Sequence, residues 1–273
     1  MLTAGQTLII TGASHGIGRS IALGLARREV NLVLNARRAG ALQVVAEECR
    51  CGRANVAAIP GNVAYDEVAA GLVETAVGMG GFQGFIHSAA VLHPGPYLWE
   101  ISGLQQTQVL DAVLMGGLSL IRHAVPPLLE AGQGLAVFLG SEAVEHHTPG
   151  LGTYSVANAA QQFLARQLAA ETRVVTSLLF YPGAVDTRMQ LQGREAKGGA
   201  AQIIRPIFRD YYDQGILISP EQAAGILISH LDGPWANLHG RELNARTERA
   251  KDLTRPGAFM PPSCPVSISR SMR

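Results

Sequence analysis

Three glycines near the start of the chain have the spacing and the surroundings of a phosphate-binding turn. They lie in the stretch Thr11-Gly12-Ala13-Ser14-His15-Gly16-Ile17-Gly18, between a short apolar run and a segment with one apolar helical face. A turn from a strand into a helix directs backbone N–H groups and the positive end of the helix dipole at one point, where a phosphate can bind. Gly12 permits the sharp turn, Gly16 the close approach of a pyrophosphate and Gly18 tight packing of the helix. A tight turn that binds no ligand is the alternative interpretation.

Two arginines follow the second predicted strand, at the position where many dinucleotide-binding folds carry an acidic residue. That acidic residue accepts hydrogen bonds from the hydroxyl groups of the adenosine ribose. The strand in this chain ends Asn35-Ala36-Arg37-Arg38, without a carboxylate. Guanidinium groups suit a 2′-phosphate, because they bind it through paired, charge-assisted hydrogen bonds. The sequence therefore predicts NADP(H) rather than NAD(H), with an ordinary solvated arginine pair as the alternative.

The glycine spacing resembles the N-terminal motif of the short-chain dehydrogenase/reductase family. The pattern is Thr-Gly-x-x-x-Gly-x-Gly, in place of the Gly-x-Gly-x-x-Gly of many other dinucleotide folds. Two more features are similar to the family. Ser141 and Tyr154, thirteen residues apart, resemble its catalytic serine and tyrosine, and Tyr181-Pro182-Gly183 with Thr187 resembles the segment that covers the nicotinamide amide. The resemblance extends over about residues 5 to 245.

The resemblance implies hydride transfer between the nicotinamide and a small carbonyl or alcohol substrate. Tyr154 would give a proton to the carbonyl oxygen, and Ser141 would hydrogen-bond that oxygen and orient it. Asn62-Val63 stands where the family has an Asp-Val pair that touches the adenine. The residues predicted to contact the cofactor are Gly12, Ser14, His15, Gly16, Ile17, Gly18, Arg37, Arg38, Asn62, Val63, Ser88, Ala89, Ala90, Tyr154, Asn158, Pro182, Gly183, Val185 and Thr187.

Two of the four polar catalytic positions of the family are altered in this chain. The family has a lysine four residues after the tyrosine, where this chain has Asn158, and the only lysines of the chain are Lys197 and Lys251. A family asparagine on the long central helix would align near Leu114. The lysine binds the nicotinamide ribose and, as a positive charge, lowers the pKa of the tyrosine, whereas Asn158 can supply only the hydrogen bonds. This substitution supports a second hypothesis, a catalytically impaired pseudoenzyme that binds nucleotide or regulates another protein.

Four histidines lie near the predicted site. His87-Ser88-Ala89-Ala90 ends the fourth strand, where the family has Asn-Asn-Ala-Gly, and we expect His87 to be a hydrogen-bonded interior residue rather than a catalyst. His93, His146 and His147 could all reach the mouth of the site and compensate for the missing lysine. Ordinary solvated histidines are the alternative, and the spacing supplies no third ligand for a metal ion.

Predicted strands and helices alternate along the chain, and the candidate site residues follow the ends of the strands. The predicted strands are Thr7–Ile10, Val30–Asn35, Val56–Ile59, Phe82–His87, Leu135–Leu139, Val174–Phe180 and Leu238–Leu243. The predicted helices are Arg19–Arg28, Ala39–Cys49, Tyr65–Val77, Leu104–Leu129, Thr153–Thr172 and Pro220–Leu231. Such alternation specifies a parallel sheet joined by right-handed crossovers. We therefore expect an α/β fold, a single doubly wound Rossmann-type domain with about seven parallel strands and helices on both faces.

This domain is predicted to span residues 1–246, followed by a C-terminal tail at 247–273. Within it, residues 187–219 lack regular alternation and are predicted to be a substrate-loop insertion, since loops of this length in compact domains are usually lids or binding loops. The side chains expected to line the substrate pocket are Ile203, Ile204, Ile207, Phe208, Tyr211 and Tyr212. Their composition suggests an apolar or ring-bearing substrate.

Composition limits the possible partners. A net charge of +1 gives no reason to expect nucleic acid, and no uninterrupted apolar run reaches the roughly 18 residues of a membrane span. Cys49, Cys51 and Cys264 are an odd number of cysteines and are predicted to be free thiols in a reducing compartment. With no signal-peptide features at the start, we expect a cytoplasmic protein. The long helices at 104–129 and 153–172 carry apolar residues on more than one face, and by resemblance they imply a homodimer or homotetramer.

Overall fold

Seven parallel strands form the centre of the fold in the computed structural model, which describes residues 1–247. Strands β1 to β7 are Thr7–Thr11, Asn31–Ala36, Val56–Pro60, Phe82–His87, Gly134–Leu139, Val175–Tyr181 and Glu242–Asn244. Their order in the sheet is β3-β2-β1-β4-β5-β6-β7, and each neighbouring pair is parallel. The chain reverses direction across the sheet between β1 and β4. A reversal of this kind opens a crevice at the carboxyl ends of the strands.

Helices cover both faces of the sheet. Helices α1 to α9 are Gly16–Ala26, Ala39–Cys49, Asp66–Gly78, Gly103–Leu110, Gly116–Glu130, Gly152–Glu171, Arg188–Arg194, Ala201–Asp213 and Pro220–Leu231. One core cluster joins alternate strand residues such as Leu8 and Ile10 to α1, α2 and α9. The other joins the intervening residues, Ile9 among them, to α3, α5 and α6. Successive side chains of a strand point to opposite faces of the sheet. The buried run Leu8-Ile9-Ile10 of β1 therefore packs into both cores. The predicted fold class is confirmed.

The helical stretch after β4 contains one irregular turn. A single long helix was predicted from Leu104 to Leu129, and the structure has α4 and α5 joined by a π-helical turn at Asp111–Met115. A π turn frees the backbone from regular i−4 pairing and is common at functional sites. The turn includes Leu114, the position where the family asparagine would align.

The same stretch, Gly103–Glu130, is the one part of residues 1–247 that could cross a membrane by length and composition. It has 28 residues, and its most apolar 18-residue window has a mean hydropathy of 1.4. In that window 44% of the residues are buried inside the protein, and Leu120, Ala124 and Leu128 pack on the sheet. The core helix of a globular domain passes the same test, so the stretch is weak evidence for a membrane span.

The insertion at 187–219 is helical rather than a loop. It contains α7 and α8, and its base is closed by a parallel bridge between Val185 and Ile218. At this bridge the Asp186 N–H donates to the Ile218 carbonyl at 2.9 Å, and the Ile218 N–H donates to the Ala184 carbonyl at 3.0 Å. The insertion is therefore a two-helix unit on a closed stem. The predicted tail lies outside the described residues apart from Thr247, and so does Cys264.

Candidate active site

A cleft of about 700 Å³ lies at the carboxyl edge of the sheet. Its walls come from the turn after β1, from the ends of β2, β3, β4, β5 and β6, and from α7 and α8. All the residues predicted to contact the cofactor line this cleft, with the exception of Asn158. Ser141 lines it as well. The structure thus brings together residues that are up to about 175 positions apart in the sequence.

The glycine turn lies too close to β4 to accept side chains. Gly12 has a φ of +65°, and a Cβ there would lie 2.7 Å from the Ser88 carbonyl oxygen. A Cβ on Gly18 would lie 2.5 Å from the Gly12 carbonyl oxygen. Glycine is therefore required at both positions by contact, and at Gly12 by its positive φ as well. The first residues of α1 face the cleft, which is the arrangement that suits a phosphate.

One end of the cleft is positively charged. Arg37 and Arg38 lie there, directly after β2, together with His15 and Arg188. Burial, and then the charges of Arg38, Arg188 and Arg19, lower the pKa of His15 below its usual value. Arg188 is the first residue of α7 and was not predicted from the sequence, since its closeness to the glycine turn depends on how the insertion folds. These arginines provide the charge that a nucleotide phosphate needs.

The side chain of Asn62 is used within the protein. Its Nδ2 donates to Asp111 Oδ2 at 2.9 Å, and its Oδ1 accepts from the Ala64 N–H at 3.2 Å. Asn62 still lines the cleft together with Val63. Its amide thus connects the end of β3 to the π turn through a hydrogen bond to Asp111. This structural role is additional to the predicted contact with adenine.

Ser141 and Tyr154 face the cleft from neighbouring elements. Ser141 follows the end of β5, where its Oγ accepts the Ala143 N–H at 3.2 Å, and Tyr154 lies in the first turn of α6. Burial raises the pKa of Tyr154 above its usual value near 10, although hydrogen bonds from Ser141 and Asn158 act in the opposite direction. Tyr154 is therefore a neutral phenol at pH 7, ready to donate a proton.

Asn158 contacts Tyr154 and not the cleft. It is buried, and its Nδ2 donates to the backbone carbonyl of Tyr154 at 2.9 Å, one turn earlier in α6. The prediction that Asn158 contacts the cofactor is therefore not supported by this geometry. An asparagine side chain is too short to extend past the tyrosine as a lysine does, and it folds back on its own helix instead. What remains is its hydrogen bond to the Tyr154 side chain.

His87 is an interior residue, as predicted. Thr11 Oγ1 donates to its Nδ1 at 2.8 Å, and its Nε2 donates to the Val113 carbonyl in the π turn at 3.0 Å. Burial lowers the pKa of His87 to about 4, so the ring is neutral at pH 7. His87 thus joins β1, β4 and the π turn through a fixed tautomer.

The other histidines are divided between the cleft and the solvent. His93 and His146 line the cleft, whereas His147 is exposed and does not. His93 Nε2 lies 2.9 Å from Gln108 Oε1, so the two side chains form a pair on the cleft wall. Gln108 had no distinguishing signal in the sequence.

The apolar wall of the cleft comes from one face of α8. Ile207, Phe208 and Tyr211 line it, as predicted, and Ile204 packs beneath them. The prediction was wrong for Ile204, which is buried and does not line the cleft, and for Ile203 and Tyr212, which are exposed and do not line it either. The Arg194 guanidinium group instead lies over the Tyr212 ring, with its Cζ 4.6 Å from the ring centroid. At 3.6 residues per turn a helix cannot present all six positions to one pocket.

The chain is similar to a large set of oxidoreductases. A family model described as short chain dehydrogenase matches residues 6–198. The uncharacterized oxidoreductase YIR035C of Saccharomyces cerevisiae is 31% identical over 71% of this chain and 76% of its own length. Its crystal structure aligns with a TM-score of 0.77, covering 88% of this chain and 96% of that one.

Two further similarities extend the comparison. An NADPH-dependent pterin aldehyde reductase of Arabidopsis thaliana is 26% identical over 69% of this chain and 78% of its own length. The crystal structure of the KRED1-Pglu enzyme aligns with a TM-score of 0.77 at 27% identity, covering 87% of this chain and all of that one. The similarity thus extends from the motifs to the whole fold.

Proposed function

Because the chain belongs to the short-chain dehydrogenase family, we propose that it uses NADP(H) to reduce the carbonyl group of a small molecule. The observation that carries the proposal is the shared cleft, which holds the glycine turn, two arginines after β2, Ser141 and Tyr154. A relative named as an NADPH-dependent pterin aldehyde reductase supports the same cofactor and the same direction.

The residues of the cleft fit a dinucleotide phosphate. Gly12 and Gly18 let the turn pack directly against neighbouring backbone, where a Cβ would clash, and the first turn of α1 directs N–H groups at the cleft. Arg37 and Arg38 would hold the 2′-phosphate, and Thr187 and Gly183 would lie at the nicotinamide end. When bound, the nicotinamide ring supplies the hydride.

Tyr154 would supply the proton that completes the reduction. Its hydroxyl donates to the carbonyl oxygen as negative charge develops there, while Ser141 hydrogen-bonds the same oxygen and fixes its position. Burial raises the pKa of Tyr154, which keeps the phenol in the neutral form that reduction needs. The same shift opposes alcohol oxidation, because oxidation needs the tyrosinate as a base.

The test is a screen of aldehydes and ketones with NADPH, in which the loss of NADPH absorbance is followed for the wild type and for Tyr154→Phe. We expect turnover by the wild type with at least one carbonyl class and a loss of about 10²–10⁴-fold in Tyr154→Phe, the range of a general acid. Equal rates in the two proteins would contradict the assigned role of Tyr154.

A second function is favoured by Asn158. Without a lysine beside Tyr154, the protein could bind nucleotide and act as a regulatory pseudoenzyme. That function predicts NADPH binding without turnover of any carbonyl compound, and Tyr154→Phe would then leave NADPH affinity unchanged. Retention of both Ser141 and Tyr154 in the cleft favours the enzyme.

A further inference from the structure

The end of the cleft beside Tyr154 is built from apolar and neutral polar groups. Tyr154, Leu92, Met189 and Phe208 belong to one apolar cluster. Next to it, His93 shares a small cavity with Tyr154 and is hydrogen-bonded to Gln108. We call this end of the cleft the substrate pocket.

Charged side chains of the cleft lie elsewhere or are paired. Three arginines gather at the cofactor-phosphate end, and one Glu–Arg pair lies near β7. The three arginines are Arg37, Arg38 and Arg188. The pair is Glu142 with Arg246, in which Glu142 Oε2 lies 3.7 Å from Arg246 Nη1. Glu142 also accepts a hydrogen bond from Asn244 at 2.7 Å. Among the residues described, none therefore offers an unpaired charge to a substrate beside Tyr154. Burying an ionised substrate there would be costly, so the pocket favours a neutral one.

Gln190 places an amide with an unsatisfied oxygen on the wall of the cleft, next in sequence to Met189 of this pocket. It is the third residue of α7, it lines the cleft, and only 8% of it is exposed. Its Oε1 is buried without a hydrogen-bond partner among residues 1–247. Buried carbonyl oxygens are nearly always paired, and those that are not point to a missing partner. The terminal torsion of glutamine is soft and roughly two-fold, so a half-turn about it exchanges Oε1 and Nε2 and brings the oxygen to the position that the nitrogen holds.

We propose that Gln190 is a specificity-determining residue, which accepts a hydrogen bond from a hydroxyl or N–H group of a neutral, ring-bearing carbonyl substrate. The inference rests on the proposed function and names the substrate class for the same site. The apolar face of α8, with Ile207, Phe208 and Tyr211, would pack against the ring. A site that holds a buried acceptor rejects an analogue that lacks the donor, because the acceptor then stays unpaired.

The test compares three aldehydes that differ only at the meta position: 3-hydroxybenzaldehyde, 3-methylbenzaldehyde and 3-carboxybenzaldehyde. Their dissociation constants are measured by calorimetry on protein saturated with NADP⁺, where no hydride can be transferred. For the wild type we expect the hydroxyl compound to bind about tenfold more tightly than the methyl compound, and the carboxylate to bind most weakly. In Gln190→Met, which keeps the side-chain length, the preference for hydroxyl over methyl should fall to about threefold or less.

The matched control is Gln202→Met on α8, since Gln202 is exposed and does not line the cleft. It should keep the wild-type preference. Gln190→Ala is the second variant, and thermal melting and NADPH binding check that both Gln190 variants are folded. An equal affinity of the wild type for the hydroxyl and methyl compounds, or an unchanged preference in the folded Gln190 variants, would overturn the inference. If the binding preference is present but no aldehyde oxidises NADPH, the proposed function fails, and what stands is Gln190 as the hydrogen-bond acceptor for a neutral, ring-bearing ligand.

Discussion

Asn158 stands where the resemblance to the family implies a lysine, and we expect this difference to change the reaction direction that Tyr154 catalyses best. Burial raises the pKa of this phenol, and neither hydrogen bond that it receives carries a positive charge. The reduction and oxidation directions use opposite protonation states of the same hydroxyl group, so the substitution affects them unequally. Equilibrium still fixes the ratio of the two directions, and the effect concerns rates at saturating substrate.

We expect the reduction rate to be nearly flat from pH 6 to 8 and the oxidation rate to keep rising above pH 9. A phenol with a pKa above 10 is almost wholly protonated at neutral pH, which serves reduction, and the tyrosinate appears only in alkali. Asn158→Lys should move the oxidation profile to lower pH, because a nearby positive charge favours tyrosinate. Initial rates at saturating substrate give both profiles. Asn158→Ala, which removes the amide without adding charge, is the control, and an unshifted profile in Asn158→Lys would contradict the argument.

The choice of cofactor depends on residues at the other end of the cleft. Replacing both Arg37 and Arg38 by alanine should weaken NADPH binding by about 1.5–3 kcal/mol, the loss expected for charge-assisted contacts, and should barely change NADH binding. Titration of both cofactors by fluorescence measures this. Arg53→Ala, at a strongly exposed arginine away from the cleft, is the control. Equal affinity of the wild type for NADPH and NADH would show that these arginines do not select the cofactor.

At the level of elements, the sequence predicts the strands and helices that carry a regular apolar pattern. It misses the elements whose position depends on packing between distant parts of the chain. The apolar run Leu8-Ile9-Ile10 is buried on both faces, so β1 is evident from the sequence alone. In the insertion, α8 has a usable signal in the spacing of Ile204 and Phe208, whereas the short α7 has no apolar period. The π turn adds one residue to a helical turn and so shifts the phase of the amphipathic pattern once, which a prediction of one continuous helix does not resolve. Gln190 reaches the cleft only because both helices fold back over it.

His87 links β1, β4 and the π turn, and this link should make stability depend on pH. Its pKa is about 4 in the folded protein against 6.5 for an unperturbed histidine, so the unfolded chain binds the extra proton first as the pH falls. The stabilising effect of the neutral ring is present above pH 6.5 and is lost between pH 6.5 and 4. The loss from pH 7 to pH 5 should be about 2 kcal/mol.

The measurement is urea unfolding of the wild type and of His87→Asn at pH 7 and pH 5. Asparagine keeps a hydrogen-bonding side chain at the end of β4 and does not titrate. We expect the pH-dependent loss of stability to be smaller in His87→Asn by about the same 2 kcal/mol. An identical loss in both proteins would mean that protonation of His87 does not govern acid unfolding in this range.

The molecule as a whole uses one edge of its sheet for chemistry and leaves apolar surface on two helices. The cleft gathers the carboxyl ends of six strands, β1 to β6, which is where open parallel sheets bind ligands. Away from the cleft, α6 exposes Val156 and Phe163, and the neighbouring α4–α5 stretch exposes Met115 and Leu118. Ala157 and Leu168 of α6 are buried within the chain itself and do not belong to this exposed surface.

We propose that the exposed apolar residues of α6 pair with those of a second copy. Phe163 is 66% exposed and Val156 is 60% exposed. Large apolar side chains that lie together on an exposed helix face mark an interaction surface. A two-fold axis would place the same surface of each copy in contact, so one substitution acts twice. Light scattering at micromolar concentration should give at least twice the chain mass of 28.9 kDa for the wild type, and the single-chain mass for Phe163→Glu. Val44→Glu, at a residue that is 55% exposed on α2, is the control and should leave the assembly intact. A wild-type protein with the mass of one chain would show that these helices face solvent.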